Sequence, residues 1–205
     1  MTRLGILGGT FDPPHIAHLV MADQACGQLN LARVLFVPAG QPPHKLDRAV
    51  SPVEHRVAMI QLAIAGDARF RFSRVDLDRP GPHYTSEMLA LLRAVHPQAE
   101  LYLLIGSDAL RDLLTWHDPA RVIVQARLAV MRRPGAEPDL SVLEAALPGI
   151  AARIDWVDAP WLDVSSTDIQ RRVQAGLAIR YLVTRAVERY IVEQGLYRCG
   201  QVDEP

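Results

Sequence analysis

The sequence predicts an α/β fold, Rossmann-like and doubly wound. It implies a mainly parallel sheet with helices on both faces and a small helical C-terminal part. Three observations carry that prediction. Short apolar runs alternate with helical segments through the first 135 residues, which is the pattern of βαβ units. Two of those runs stop at glycine, at Gly8-Gly9 and at Gly106, where a parallel sheet turns toward its ligand edge. No internal repeat, low-complexity tract or linker divides the 205 residues, a length that suits one domain spanning 1–205.

Taken in order, LGIL (4–7) is a short apolar strand ended by Gly8 and Gly9. A helix follows from Ile16, with Leu19, Ala22, Cys26 and Leu29 at spacings of three and four. VLFVP (34–38) is a second strand, and AGQPPHKLDRAV (39–50) a loop rich in proline and charge. Ser51-Pro52-Val53-Glu54 then reads as a helix start: Ser51 as cap, Pro52 at the first helical position, Glu54 closing a capping box. Its inner stripe is Val53, Val57, Ile60 and Ile64. FRFSRVDL (70–77) alternates and reads as a strand, and RPGPHY (79–84) as a turn. Thr85 is placed to cap a helix carrying Met88, Leu89, Leu92 and Val95. ELYLLIG (100–106) is a strand, ARLAVMRRPG (126–135) a strand and turn, and RIDWVDAP (153–160) a further short strand. Ser165 and Ser166 open a helix with Ile169 and Val173. The last helix runs from about Thr184 to Gln194, stopped by Gly195 with Leu196 as Schellman partner. The helical C-terminal portion thus covers about 164–197.

Lys and Arg number 22 against 23 Asp and Glu, so net charge indicates no polyanion-binding surface and no nucleic-acid partner is expected. The two cysteines, Cys26 and Cys199, form no CxxC, which argues against a disulfide framework and fits a reducing compartment. The N-terminal apolar run is too short for a signal peptide, and no span reaches the length of a membrane helix. A cytoplasmic protein without a membrane partner is expected. A homo-oligomer is compatible with the reading.

The segment GILGGTFDPPHIAHL (5–19) carries the chemistry. Glycines between a strand and a helix let main-chain N–H groups approach an anion closely. The spacing is neither a Walker loop nor GxGxxG. His15 and His18 fall on one face near the helix start, where an imidazole can donate to phosphate oxygens and a protonated one adds charge. A turn that merely contains histidine is the plainer alternative. A metal is the third, and it lacks an obvious further ligand nearby. The full combination of strand, Gly-Gly-Thr, Pro-Pro and HxxH on a helix favours a phosphate seat.

Elsewhere the residues leave alternatives open. Ser165-Ser166-Thr167, with Arg171 and Arg172 beyond, offers helix N–H groups, hydroxyls and charge to phosphates. With Asp168 it is also an ordinary capping sequence. Asp108 after Gly106-Ser107 suits ribose hydroxyls, a helix cap, or both. Trp116 is a core residue or an aromatic wall. Lys45 is a solvated loop charge on its own terms, and Trp156 and Trp161 read as packing residues.

GGTFDPPHIAH closely resembles the signature of the (T/H)xGH nucleotidyltransferase superfamily, with Ala17 where glycine is usual. The fuller pattern is similar to the bacterial nicotinate-nucleotide adenylyltransferases. PAGQPPHK (38–45), SPVEHRVAMIQLA (51–63), Tyr84-Thr85, LLIGSDAL (103–110), TWHDP (115–119), RRPG (132–135), VSSTDIQRR (164–172) and YIVEQGLY (190–197) extend the match along nearly the whole chain. The resemblance implies adenylyl transfer from ATP to nicotinate mononucleotide, giving nicotinate adenine dinucleotide and pyrophosphate in NAD biosynthesis.

It implies His15 and His18 as catalytic residues. It places ATP against Gly8, Gly9, Thr10, Phe11, both histidines, Gly106, Asp108, Arg133, Ser165, Ser166, Thr167 and Arg171. Arg133 would stack on the base or meet a phosphate. Lys45, Thr85, Trp116 and His117 fall to the nicotinate nucleotide, His117 standing where many relatives have tyrosine. Mg²⁺ is expected to arrive on the triphosphate, with no tightly bound metal and no covalent intermediate. The family arginine of the serine motif falls on Gln170 here, leaving Arg171 or Arg172 to substitute. Rival readings are another transferase of the superfamily, such as a phosphopantetheine adenylyltransferase or a cytidylyltransferase, and a nucleotide-binding regulator without catalysis.

Overall fold

In the computed structural model, which describes residues 2–40, 50–132, 135 and 137–198, every strand lies parallel to its neighbours. The strands are β1 (Thr2–Gly9), β2 (Arg33–Pro38), β3 (Phe70–Phe72), β4 (Ala99–Gly106), β5 (Arg127–Met131) and β6 (Ile154–Val157), in the order β3-β2-β1-β4-β5-β6. The chain winds outward from β1 to one edge, returns, and winds outward from β4 to the other. Loops leaving β1 and β4 therefore part in opposite directions, and a crevice opens between them at the carboxyl ends. The β1–β4 ladder stops at Ile6 opposite Leu103, short of the last residues Gly9 and Gly106, so the two strand ends are already separate at the crevice.

Alternation along the strands divides the core in two. Leu101, Leu103 and Ile105 of β4 face one side, with α3 (Thr85–Val95), α4 (Ser107–Arg111), α5 (Pro119–Gln125) and α6 (Leu140–Ala146) contributing Met88, Leu110, Val122 and Leu143. Tyr102 and Leu104 face the other, against Met21, Ala22 and Cys26 of α1 (Ile16–Leu29) and Ile60 and Ile64 of α2 (Val53–Ile64). Gly5 is closely hemmed in by side chains of β2, β4 and the loop after α1. A Cβ there would meet Val34 Cγ2 at 2.8 Å and Leu31 Cδ1 at 2.9 Å.

A third cluster joins the C-terminal helices α7 (Ser166–Gln174) and α8 (Arg185–Glu193) to α2. Met59 of α2 packs there with Ile169, Ile179, Val183, Val187 and Ile191. Ser165 caps α7 by accepting the N–H of Asp168 at 3.1 Å. At the end of α8 the N–H of Leu196 reaches Ile191 O and that of Gly195 reaches Val192 O. With Gly195 at φ 64°, this is the Schellman pair that the sequence predicts.

Several elements differ from expectation. The predicted strand 70–77 keeps strand geometry only over Phe70–Phe72. Leu77 and Asp78 then turn back onto Arg74 O, and Asp76 is buried against Arg79. Ser51 does not cap α2, whose N-cap is Pro52. The Ser51 N–H instead donates to Asp12 and its carbonyl accepts from Arg56. The buried stripe of α2 is Arg56, Met59, Ile60 and Ile64, while Val53 and Val57 are half-buried. One helix here answers to three neighbours: sheet, C-terminal helices and the loop after β1. Thr85 is the first residue of α3 after the N-cap Tyr84, and no side chain caps that helix. Val95, its last residue, is 66% exposed, so the inner stripe ends at Leu92. Gly106, not Asp108, is the N-cap of α4. Helices α5 and α6 have no counterpart in the sequence prediction. Asp118 caps the first with Pro119 behind it, and Asp139 caps the second through the N–H groups of Ser141 and Val142.

Candidate active site

The crevice at the carboxyl ends of β1 and β4 holds a cavity of about 260 Å³. Gly8, Gly9 and Thr10 form one wall, Thr85, Trp116 and His117 another, and Leu103–Ile105 lie behind. Residues separated by a hundred positions in sequence thus share one space, through the strand order alone. Trp116 is half-buried, packs on the core and lines the cavity. The exposed ring of His117 stacks on Tyr84, with centroids 4.0 Å apart and planes at 23°. The position therefore keeps an aromatic-like surface without a tyrosine.

The turn out of β1 is sharp. Phe11 has φ 53°, in the left-handed region that costs a residue with a side chain about 1 kcal/mol or more. Its ring is 1% exposed and packs against Phe36 at 5.9 Å and His18 at 4.9 Å. Burial of that ring holds the strained backbone, and the loop then delivers His15 as the N-cap of α1. The imidazoles of His15 and His18 stack, with centroids 3.7 Å apart. His18 Nδ1 accepts the main-chain N–H of His15 at 3.1 Å. That bond needs a lone pair on Nδ1, which leaves the ring's proton on Nε2. Two imidazolium rings at this separation would also repel. His18 is therefore presented as a neutral Nε2–H donor, not as the added charge considered from sequence.

Sequence reasoning missed the residues that support this frame. Arg56 is 2% exposed. Its Nη1 donates to Thr10 O at 3.0 Å and Ala39 O at 2.8 Å, its Nη2 to Gly40 O at 3.1 Å, and its Nε to Ser51 O at 3.0 Å. Burial lowers the guanidinium's pKa from its ordinary value, and the nearby Asp12 carboxylate opposes that. On the other side of the cavity, Asp76 is 3% exposed and burial pushes its carboxyl up, against the pull of Arg79. Arg79 bridges Asp76 at 2.8 Å and Glu87 at 2.7 Å, which ties the turn to α3. His83 lines the same cavity and lies so near Gly40 that a Cβ there would meet its Cε1 at 3.0 Å. Motif spacing signals none of these.

The serine motif lies beside the same loop, because Ser166 Oγ donates to Pro13 O at 2.8 Å. Gln170 Nε2 donates to Asp12 O at 2.7 Å. Arg171 pairs with Asp168, its side chain 77% exposed, and Arg172 donates to Ala178 O. Neither arginine takes the place of Gln170 at the loop. Thr167 is exposed at the start of α7. Gly106 ends β4 and Asp108 lies in the first turn of α4, and neither is among the residues that line the cavity. Lys45 and Arg133 lie outside the described residues. Among the described residues no three His, Cys, Asp or Glu side chains gather in metal-binding geometry, and no helix is long and apolar enough to cross a membrane.

Comparison with known proteins shows the family and the fold. The cytidylyltransferase-like family pattern matches residues 6–172. A protein of Thermomicrobium roseum named probable nicotinate-nucleotide adenylyltransferase is 50% identical over 205 residues, covering 100% of this chain and 96% of that protein. One of the same name from Thermus thermophilus is 46% identical, covering 96% of this chain and 100% of its own. Among solved structures, the Plasmodium falciparum nicotinic acid mononucleotide adenylyltransferase complexed with NaAD shares the fold. Its TM-score is 0.79 at 19% identity, over 96% of this chain and 98% of that one. The chain belongs to the cytidylyltransferase-like family and, within it, to the nicotinate-nucleotide adenylyltransferases.

Proposed function

We propose that the crevice between β1 and β4 joins ATP to nicotinate mononucleotide, releasing pyrophosphate and nicotinate adenine dinucleotide for NAD synthesis. One observation carries the reading: a single cavity is lined on one side by the glycine turn and on the other by Thr85, Trp116 and His117. A phosphate seat and a flat-walled slot open into the same space, as a phosphorylated pyridine nucleotide requires.

The nucleophile is the mononucleotide's 5′-phosphate, and the electrophile is the α-phosphorus of ATP. A phosphate monoester is already anionic at neutral pH, so no general base has to activate it. The barrier is repulsion between two anions, and the protein lowers it by holding them in line and meeting charge with donors. Main-chain N–H groups of Gly8–Thr10, which line the cavity, supply such donors, and the Nε2–H of His18, at the start of the helix that follows, adds another. Asp108 suits the ribose and Trp116 the pyridine face. Ser165, Ser166 and Thr167 bring the start of α7 to the triphosphate side, where the helix dipole is positive. Mg²⁺ enters as part of the ATP substrate. Gln170, where the family has arginine, contributes a bond to the loop after β1 and no charge. The reading places the enzyme in the cytoplasm, in keeping with two cysteines that form no CxxC.

A pyrophosphate-release assay with ATP and a panel of acceptors tests the reading. Turnover is expected with nicotinate mononucleotide and not with phosphopantetheine or glycerol 3-phosphate. Including the amide mononucleotide measures acid-over-amide selectivity directly. ATP binding without turnover of any acceptor would favour a regulator.

A further inference from the structure

The loop from Thr10 to His15 has no helix or strand of its own, and its shape is imposed by distant parts of the chain. Asp12 is 4% exposed, and three of its oxygens are held by three separate segments. Oδ1 accepts the Tyr197 hydroxyl at 2.6 Å, Oδ2 the Ser51 N–H at 3.0 Å, and the main-chain carbonyl the Gln170 amide at 2.7 Å. On either side, Thr10 O is held by Arg56 and Pro13 O by Ser166. The N–H of Ile16, which opens α1, donates to Leu182 O at 2.9 Å. Four of these six partners, Ser166, Gln170, Leu182 and Tyr197, lie in the C-terminal helical portion.

A buried carboxylate keeps its place only while its oxygens are satisfied, and losing one donor frees it to move. Asp12 follows the strained Phe11 and precedes His15 by three residues, so a shift at Asp12 passes straight to the imidazoles. We propose that Tyr197, assisted by Gln170, is a positioning residue for adenylyl transfer: through Asp12 it fixes the loop that sets His15 and His18 against the reacting phosphates. Gln170 stands where the family carries arginine and serves the reaction from behind the loop. The proposal rests on the reaction assigned above.

Kinetics of Tyr197→Phe, alone and combined with His18→Ala, test it, with Gln170→Ala as a milder variant that leaves the Asp12 carboxylate its donors. Each protein is also followed by circular dichroism and thermal melting. In the wild-type background Tyr197→Phe and Gln170→Ala are expected to lower kcat, the former about tenfold or more, with both KM values within about twofold. In the His18→Ala background, Tyr197→Phe should lower kcat by a clearly smaller factor than in the wild type, because one of the two imidazoles it positions is gone. A lowered melting temperature with unchanged kcat in the folded protein would overturn the positioning role. A loss that multiplies fully with that of His18→Ala would overturn it equally. Absence of wild-type turnover with nicotinate mononucleotide would instead overturn the reaction and this proposal with it.

Discussion

His18 carries a definite chemical state, because its Nδ1 is committed to the His15 N–H. A neutral ring with its proton on Nε2 donates a hydrogen bond that strengthens as charge builds on the transferring phosphoryl group. His18→Ala is accordingly expected to lower kcat by about 10²-fold or more while KM for ATP changes much less. Steady-state kinetics check this, and an unchanged kcat with raised KM would assign His18 to ground-state binding. Trp116→Ala should raise KM for nicotinate mononucleotide about tenfold, with ATP little affected. The paired histidines stood out in sequence because a strand, a glycine turn and a helix start surround them, whereas Trp116 was singled out only by the family resemblance. Arg56 was not. Nothing in VEHR sets it apart, and its burial follows from carbonyls of Thr10, Ala39, Gly40 and Ser51 that only the fold assembles. Asp12 was hidden for the same reason, since its partners lie at 51, 170 and 197.

At the scale of elements, packing density sets the tolerances. Gly5 has Val34, Leu31 and Leu104 within 3.1 Å of the position a Cβ would take. Gly5→Ala should therefore cost about 1–3 kcal/mol, measured by denaturant unfolding, through overpacking and not through strand propensity. The strands of the sheet centre were legible because they are short apolar runs closed by glycine or proline. The segment 70–77 misled because Val75 and Leu77 resume an apolar/polar alternation, though out of phase with Phe70 and Phe72 after the polar pair Ser73-Arg74, and the backbone leaves the strand at that phase break, where Asp76 turns in to meet Arg79. Helix α5 did have a signal: Asp118-Pro119 is a cap followed by proline at the first helical position. Its seven residues are too few for a periodic stripe to stand out.

At the scale of the whole molecule, strand order makes the site and the C-terminal helices brace it. That bracing has a pH signature. Burial first, and then the Asp12 carboxylate, push the Tyr197 phenol well above its ordinary value. A group whose folded pKa is raised stabilises the fold fully below its unfolded pKa, about 10 for tyrosine, and loses that contribution as pH rises beyond it. Wild-type stability should therefore fall above about pH 10 more steeply than that of Tyr197→Phe, by up to about 1.4 kcal/mol per pH unit. Urea melts across that range measure the difference, and parallel slopes would remove the buried phenol from the ledger. The doubly wound sheet and the ligand edge were legible in the alternation of elements. The tie between residue 12 and residue 197 was not, because no local pattern encodes a contact across the chain.

A crystal soaked with a non-hydrolysable ATP analogue addresses the phosphate seat most directly. Density for the phosphates is expected along the main chain of Gly8–Phe11, within hydrogen-bond reach of His18 Nε2 and beside the start of α7. Phosphate density elsewhere, with both imidazoles directed away from it, would contradict the account.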